Sequence, residues 1–102
     1  MEMRVRVMHD YGCWPLWVKR HEDDIHHNTR PETLGLSSSL VGRLGAWQQW
    51  GDSKVNLADP HDSRAVSRDE EAAFEAEGRL LVERVRSELP SAIVYYRHDE
   101  PW

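Results

Sequence analysis

The strongest structural signal in the sequence is an amphipathic helix over residues 67–89, which ends before Pro90. Ser67 is a favourable N-cap, and Glu70 completes a capping box. Acidic residues in the first turn and arginines near the last turn suit the helix dipole. One face of this helix is apolar and carries Phe74, Gly78, Leu81, Val85 and Leu89. Because a single apolar face is stable only when a second layer covers it, the rest of the chain must supply that layer.

Three segments with strand character can form the second layer. Residues 3–9 alternate between apolar and polar side chains, and residues 92–97 are β-branched and aromatic, so both are predicted strands. Residues 14–19 are predicted to pair with the first strand as a hairpin, across turn-forming residues at 10–13. Because Pro15 has no N–H to donate, the second strand is predicted to lie at an edge of the sheet.

A further helix is predicted from the three serines at 37–39 to about Trp50. Its apolar face includes Leu40, Leu44 and Trp47. Trp47 and Trp50 are three residues apart on this helix, so both are predicted to lie in the core or to seal its rim. The polar segment 20–36 is either partly ordered or a mobile surface loop.

Together these segments predict an α+β fold in a single domain of 102 residues. The predicted architecture is a two-layer sandwich. Its small sheet consists of the N-terminal hairpin and the C-terminal strand, and two helices cover one face. The other face of the sheet is expected to be open.

Composition and charge exclude several classes of function. The net charge of −5 opposes nucleic-acid binding, which needs a basic surface, and favours a cationic partner or simple solubility. A weak single-stranded nucleic-acid site on the sheet is therefore the least favoured hypothesis. One cysteine and the lack of an apolar segment long enough for a signal peptide or a membrane span predict a cytoplasmic protein without a membrane partner.

The stretch DYGCWPLW at residues 10–17 places two tryptophans where they cannot both be buried. Trp14 and Trp17 are three apart, and odd separations on a strand fall on opposite faces. Trp14 is expected to be partly exposed near the turn, and Trp17 is expected on the open face of the sheet. Tyr, Trp and Arg are enriched at interface hot spots.

The leading hypothesis is therefore a non-enzymatic interaction module that binds a protein partner or a second copy of itself as a homodimer. The residues predicted to bind the partner are Arg4, Arg6, Asp10, Tyr11, Trp14 and Trp17. An equally weighted alternative is that the rings lie flat on the sheet beneath arginine side chains and serve the fold alone.

A second hypothesis is a small enzyme or ligand-binding protein that uses the loop at residues 52–66. Its candidate ligand site consists of His9, Asp59, His61 and Asp62. A histidine beside a carboxylate can act as a general base, but the same residue types are ordinary turn formers, which is the favoured interpretation. No catalytic residue or cofactor is predicted. The histidines and carboxylates of residues 21–27 lack the regular paired spacing of a zinc site, so no metal is predicted either.

Three segments resemble small uncharacterised proteins of GC-rich actinobacteria: the head DYGCWPLW, the helix end WQQWGD, and EGRLLVERVRSELP followed by AIVYY. The resemblance covers most of the chain. It implies a shared fold without implying an activity, so no catalytic residue is carried over. In size and charge the chain is also similar to toxin-immunity proteins, although this analogy has no motif behind it.

Overall fold

The predicted two-layer α+β sandwich is confirmed by a computed structural model, which describes residues 2–54 and 67–100. A four-stranded sheet packs against two helices. The elements in chain order are β1 (Met3–Val7), β2 (Leu16–Arg20), β3 (His27–Thr29), a 3₁₀ helix (Pro31–Leu34), α1 (Ser38–Ser53), α2 (Arg68–Glu88) and β4 (Ala92–Tyr96).

The strand order in the sheet is β3-β2-β1-β4. β1 runs antiparallel to β2 and parallel to β4, so Val5 lies between Val18 on one side and Val94 on the other. All three valines point to the same face because paired residues share a face of a sheet. The two helices lie between β3 and β4 in the chain and provide the crossover that a parallel pair needs.

The prediction that β2 forms an edge of the sheet is wrong. Residues 27–29 pair with β2 as a further strand, which the polar sequence His-Asn-Thr did not indicate. Pro15 lies just before β2 rather than within it, and its carbonyl accepts a hydrogen bond from the Met8 N–H at 3.0 Å. Because Pro15 lies outside the strand, its missing N–H does not interrupt the hydrogen bonds between β1 and β2. The segment 20–36 is partly ordered, since it contains β3 and the 3₁₀ helix.

Both helices begin at the predicted serine caps. Ser37 Oγ accepts from the Leu40 N–H at 3.3 Å, and Ser67 Oγ accepts from the Glu70 N–H at 3.1 Å. The carboxylate of Glu88, at the end of α2, accepts from the N–H and the hydroxyl of Ser37 at 2.7 and 2.6 Å. These hydrogen bonds lower the pKa of Glu88 and join the end of α2 to the start of α1.

The core lies between the helices and one face of the sheet. The sheet contributes Val5, Val7, Leu16, Val18, Val94 and Tyr96, and the helices contribute Leu40, Leu44, Trp47, Phe74, Leu81, Val82 and Val85. Trp47 is only 2% exposed, stacks on Phe74 with 4.6 Å between ring centroids, and donates its indole N–H to the Phe74 carbonyl at 3.0 Å. Trp50 seals the rim, where its indole N–H donates to Glu70 at 2.9 Å. The prediction for both tryptophans is confirmed.

At Gly78, α2 packs closely against the sheet. A Cβ atom at this position would overlap the ring of Tyr96 and lie 2.8 Å from Cζ2 of Trp47. Both rings are fully packed in the core, so neither can move without disturbing its neighbours. Glycine is therefore required here by space. At Gly42 in α1, in contrast, an added Cβ would meet nothing within 4 Å.

We expect Gly78→Ala to lower the free energy of unfolding by roughly 1–3 kcal/mol, because the added methyl group overpacks the core. Gly42→Ala serves as the matched control, and we expect it to raise the free energy of unfolding by up to about 1 kcal/mol through helix propensity. Urea denaturation of both variants beside the wild type provides the measurement. A stabilised Gly78→Ala variant would contradict this account of the helix–sheet contact.

Candidate interaction surface

The described residues include four large apolar side chains that are exposed: Tyr11 (45%), Trp14 (45%), Ile25 (65%) and Leu80 (52%). Tyr11 and Trp14 belong to the connection between β1 and β2, whereas Ile25 precedes β3 and Leu80 lies on α2. The β1–β2 connection is thus the place where two exposed aromatic rings come from a single turn. Aromatic rings in this setting are typical anchors of protein interfaces. We call the exposed parts of Tyr11, Trp14 and the neighbouring Arg30 the turn surface.

A single carboxylate, that of Asp52 near the end of α1, fixes the first half of the turn. Its Oδ1 atom lies 2.8 Å from Nε2 of His9 and accepts from the Gly12 N–H at 3.3 Å and from Nε2 of Gln48 at 2.9 Å. Gln48 also donates to the carbonyl of Asp10 at 2.8 Å. Gly12 has a φ of 71°, which glycine adopts at little cost. The backbone that carries Tyr11 is therefore tied to α1.

A single amide, that of Asn28 in β3, fixes the second half of the turn. Its Oδ1 accepts from the Trp14 N–H at 2.9 Å, and its Nδ2 donates to the Trp14 carbonyl at 2.7 Å. The guanidinium of Arg30 lies over the Trp14 ring, 5.3 Å from the ring centroid, a cation–π contact that holds the exposed ring in place. Trp14 is therefore exposed and yet positioned before any partner arrives.

A groove of about 340 Å³ runs beside the turn, between the 3₁₀ helix and α1. The described residues that line it are Gly12, Cys13, Trp14, Pro15, Pro31, Glu32, Val41, Gly45, Gln48, Gln49 and Asp52. The pKa of the Cys13 thiol is raised, first by burial and then by the nearby carboxylates of Asp10 and Asp52. Cys13 therefore contributes a neutral thiol to the groove, which Glu32 and Asp52 also line.

The outer face of the sheet, which points away from the helices, was expected to be open. In the structure it is partly covered. Tyr95 lies on this face and is only 4% exposed, because side chains from two other segments cover it. His26 hydrogen-bonds to the Tyr95 hydroxyl from the β2–β3 connection. Glu100, beyond β4, accepts from that hydroxyl at 3.3 Å and from Arg4 at 3.2 Å. The sequence showed which residues face outward but not which residues fold back over them.

Of the six residues predicted to bind a partner, three lie at the turn and three lie on the outer face of the sheet. Asp10, Tyr11 and Trp14 are exposed at the turn. Arg4, Arg6 and Trp17 lie on the outer face of the sheet and are partly buried. Arg6 lies over the Tyr95 ring, 5.7 Å from its centroid, and Trp17 donates its indole N–H to the Met8 carbonyl at 3.2 Å. These three side chains take part in contacts within the sheet layer.

Of the four residues in the alternative ligand site, only His9 lies within the part of the chain that the structure describes. That ring pairs with Asp52 and packs edge-on against Phe74 and Trp47, while Asp59, His61 and Asp62 lie outside the described residues. Within residues 2–54 and 67–100, no three His, Cys, Asp or Glu side chains are grouped closely enough to hold a metal ion. His26, from the histidine-rich segment, contacts Tyr95 instead, and burial together with Arg6 lowers its pKa.

Sequence reasoning missed the three polar residues that position the turn. Asn28 is in a strand with no apolar alternation, and Asp52 follows the predicted end of α1 at about Trp50. Gln48 is 7% exposed, and the one available signal was its position four residues after Leu44 on the apolar face of α1. Their hydrogen bonds to the turn join residues 14 to 43 positions apart in the chain, a separation that local patterns do not register.

Comparison with known proteins gives one family. A family model described as Serratia CdiI immunity protein-like matches residues 3–99. No curated protein matches the chain. In the part of the chain that the structure describes, neither helix is long and apolar enough to span a membrane.

We expect Asp52→Ala to lower the free energy of unfolding by roughly 1–3 kcal/mol, because it removes the acceptor of the Gly12 N–H and of the buried Gln48 amide. Asp52→Asn keeps a carbonyl oxygen and should lose less. Urea denaturation gives the stability, and amide hydrogen exchange at Gly12 reports the turn, which should exchange faster in Asp52→Ala. Asp24→Ala, at an exposed carboxylate, is the control; an equal loss there, or unchanged exchange at Gly12, would contradict the role of Asp52.

Burial, and secondarily the charge of Glu100, raises the pKa of Tyr95 from 10.0 to about 12. Between these two pH values the unfolded chain releases the phenol proton while the folded chain keeps it, so the free energy of unfolding falls as pH rises. Below pH 10.0 this contribution is complete. Ultraviolet titration should show a phenolate step near pH 12 that is absent from Tyr95→Phe. If that step persists in the variant, the assignment to Tyr95 is wrong.

Proposed function

The chain belongs to the Serratia CdiI immunity protein-like family, and from this premise we propose that it binds a protein toxin and neutralises it. An immunity protein protects its own cell by occupying a toxin. The family match supports a role in protein interaction, and the interaction surface has to come from the structure of this chain. We assign that role to the turn surface.

The observation that carries this assignment is the exposure of Tyr11 and Trp14 on a turn that hydrogen bonds already hold in one conformation. A partner that contacts these rings does not have to order the loop beneath them. Ordering of loops and side chains is one of the main costs of association, so a preorganised turn binds more tightly than a mobile one with the same contacts. Large aromatic side chains on such a turn fit the profile of interface hot spots.

The charge of the chain agrees with this role. A net charge of −5 attracts a basic partner over long distances and accelerates its association. The outer face of the sheet fits a supporting role, because Arg4 pairs with Glu2 and Glu100 there. We therefore propose that Arg4, Arg6 and Trp17 support the sheet and that the toxin binds at the turn.

Growth rescue tests the proposal directly. The candidate toxins are the proteins encoded by the genes next to that of this chain, because a cell keeps a toxin gene only together with the gene that protects against it. Each candidate is expressed from an inducible promoter with and without this chain. We expect growth arrest by one candidate, rescue by the chain, and recovery of the two proteins as a complex. If no candidate that arrests growth is suppressed, the proposed function is wrong.

We expect Tyr11→Ala and Trp14→Ala each to weaken toxin binding by roughly tenfold or more, the loss typical of a hot-spot residue. Both side chains are exposed, so the variants should fold with nearly unchanged stability. Isothermal titration calorimetry gives the affinity, and urea denaturation checks the fold. Ile25→Ala and Leu80→Ala remove the other two large exposed apolar side chains among the described residues and are the matched controls. Equal weakening in these controls would place the toxin elsewhere.

A further inference from the structure

The groove beside the turn contains a glycine that the fold does not need. A Cβ atom at Gly45 of α1 would meet nothing within 4 Å, so no packing contact requires glycine there. At Gly51 and Gly78, in contrast, the added atom would overlap the rings of His9 and Tyr96. Glycine inside a helix lowers the stability of that helix. The effect of glycine at position 45 is to leave the wall of the groove without a side chain.

The charged residues of the groove all have the same sign. Glu32 and Asp52 line it, and none of the described lining residues is a lysine or an arginine. Arg30 pairs with Glu32 at 3.3 Å but lies over the Trp14 ring rather than in the groove. The carboxylates of Asp10 and Asp52 also raise the pKa of the Cys13 thiol, after burial, which shows that negative potential reaches the groove wall. A segment that enters the groove is therefore favoured when it carries positive charge.

The side-chain oxygen of Gln48 lacks a hydrogen-bond donor, which is a separate indication. Its side chain lines the groove and is 7% exposed. Its Nε2 donates to Asp10 and Asp52, while its Oε1 is buried and has no hydrogen-bond partner among the described residues. A buried acceptor without a donor is costly. A bound segment that shifts this amide and supplies an N–H group to its oxygen would remove that cost.

Apart from Gln49, the remaining side chains of the lining are apolar. Pro15, Pro31 and Val41 form this part, with the Trp14 ring at its rim. The volume of about 340 Å³ is close to the lower end of the range for ligand pockets, roughly 300–1,000 Å³. The groove thus has room for a short segment and not for a folded element.

We propose that this groove receives a short segment of the toxin, in which an apolar side chain is flanked by lysine or arginine. The apolar side chain packs against Val41 and Pro31 in the space that Gly45 leaves, and the cationic groups pair with Asp52 and Glu32. The identity of the occupant as a toxin rests on the proposed function, whereas the basic and apolar chemistry of the segment rests on the groove itself. Trp14 borders the groove, so the two surfaces form one continuous interface.

The test is a pair of glycine substitutions in one helix. Gly45→Gln places a side chain in the groove, while Gly42→Gln places the same side chain on an exposed part of α1 outside it. Neither position is crowded and glutamine is the better helix former, so both variants should be at least as stable as the wild type. The probe is a displayed library of random dodecapeptides selected on each immobilised protein. We expect peptides with Lys or Arg beside an apolar residue on the wild type and Gly42→Gln, and their loss on Gly45→Gln.

The toxin found by growth rescue provides the second measurement. We expect Gly45→Gln to weaken its binding by roughly tenfold or more, with Gly42→Gln unchanged. Peptides without basic residues, or equal selection on all three proteins, would overturn the proposal even if rescue succeeds. If rescue fails but the peptide result holds, the groove chemistry stands and the proposed function does not. Sedimentation in which the wild type dimerises and Gly45→Gln does not would assign the groove to a second copy and overturn the proposal.

Discussion

The stacked rings of Trp47 and Phe74 join α1 to α2 directly above the sheet, and the position of the turn surface follows from this contact. The ring of His9, at the start of the β1–β2 connection, packs edge-on against both aromatic rings. His9 in turn lies 2.8 Å from the Asp52 carboxylate that fixes Gly12 and Gln48. A tightly packed core therefore sets the geometry of an exposed turn through a short series of contacts.

This arrangement explains how a polar chain with mean hydropathy −0.74 can hold aromatic rings in solvent. In a loop without restraints on its backbone, two exposed rings would tend to pack onto the nearest apolar surface. Here the hydrogen bonds of Asp52 and Asn28 restrain the backbone on both sides of the turn. The exposed rings and the residues that hold the backbone beneath them are thus separate, as in sites built on a rigid scaffold.

The periodicity of the sequence was sufficient for β1, β4 and both helices, because each of these elements buries one regular apolar face. It failed at β3, whose residues His27, Asn28 and Thr29 contribute hydrogen bonds rather than apolar area. Pro15 was misleading for a related reason: a proline excludes a ladder position only when it lies inside the strand, and that boundary depends on tertiary pairing. The exposure of Trp14 was predictable from its place in the turn, whereas the groove beside it depends on α1 and the 3₁₀ helix meeting the turn in space. The cover that Glu100 and His26 provide for Tyr95 is likewise a tertiary effect.

The parallel pairing of β1 with β4, in which Met3 lies opposite Ala92, affects how the protein is made. A ribosome releases β1 and β2 long before β4, so one side of β1 stays unpaired throughout most of translation. Contacts between such distant parts of a chain form slowly, and an unpaired strand edge is prone to association with other chains. The sheet is completed only after β4 has left the ribosome. Any surface that depends on the complete sheet therefore forms only after β4 has emerged, with no contribution from the shorter nascent chain.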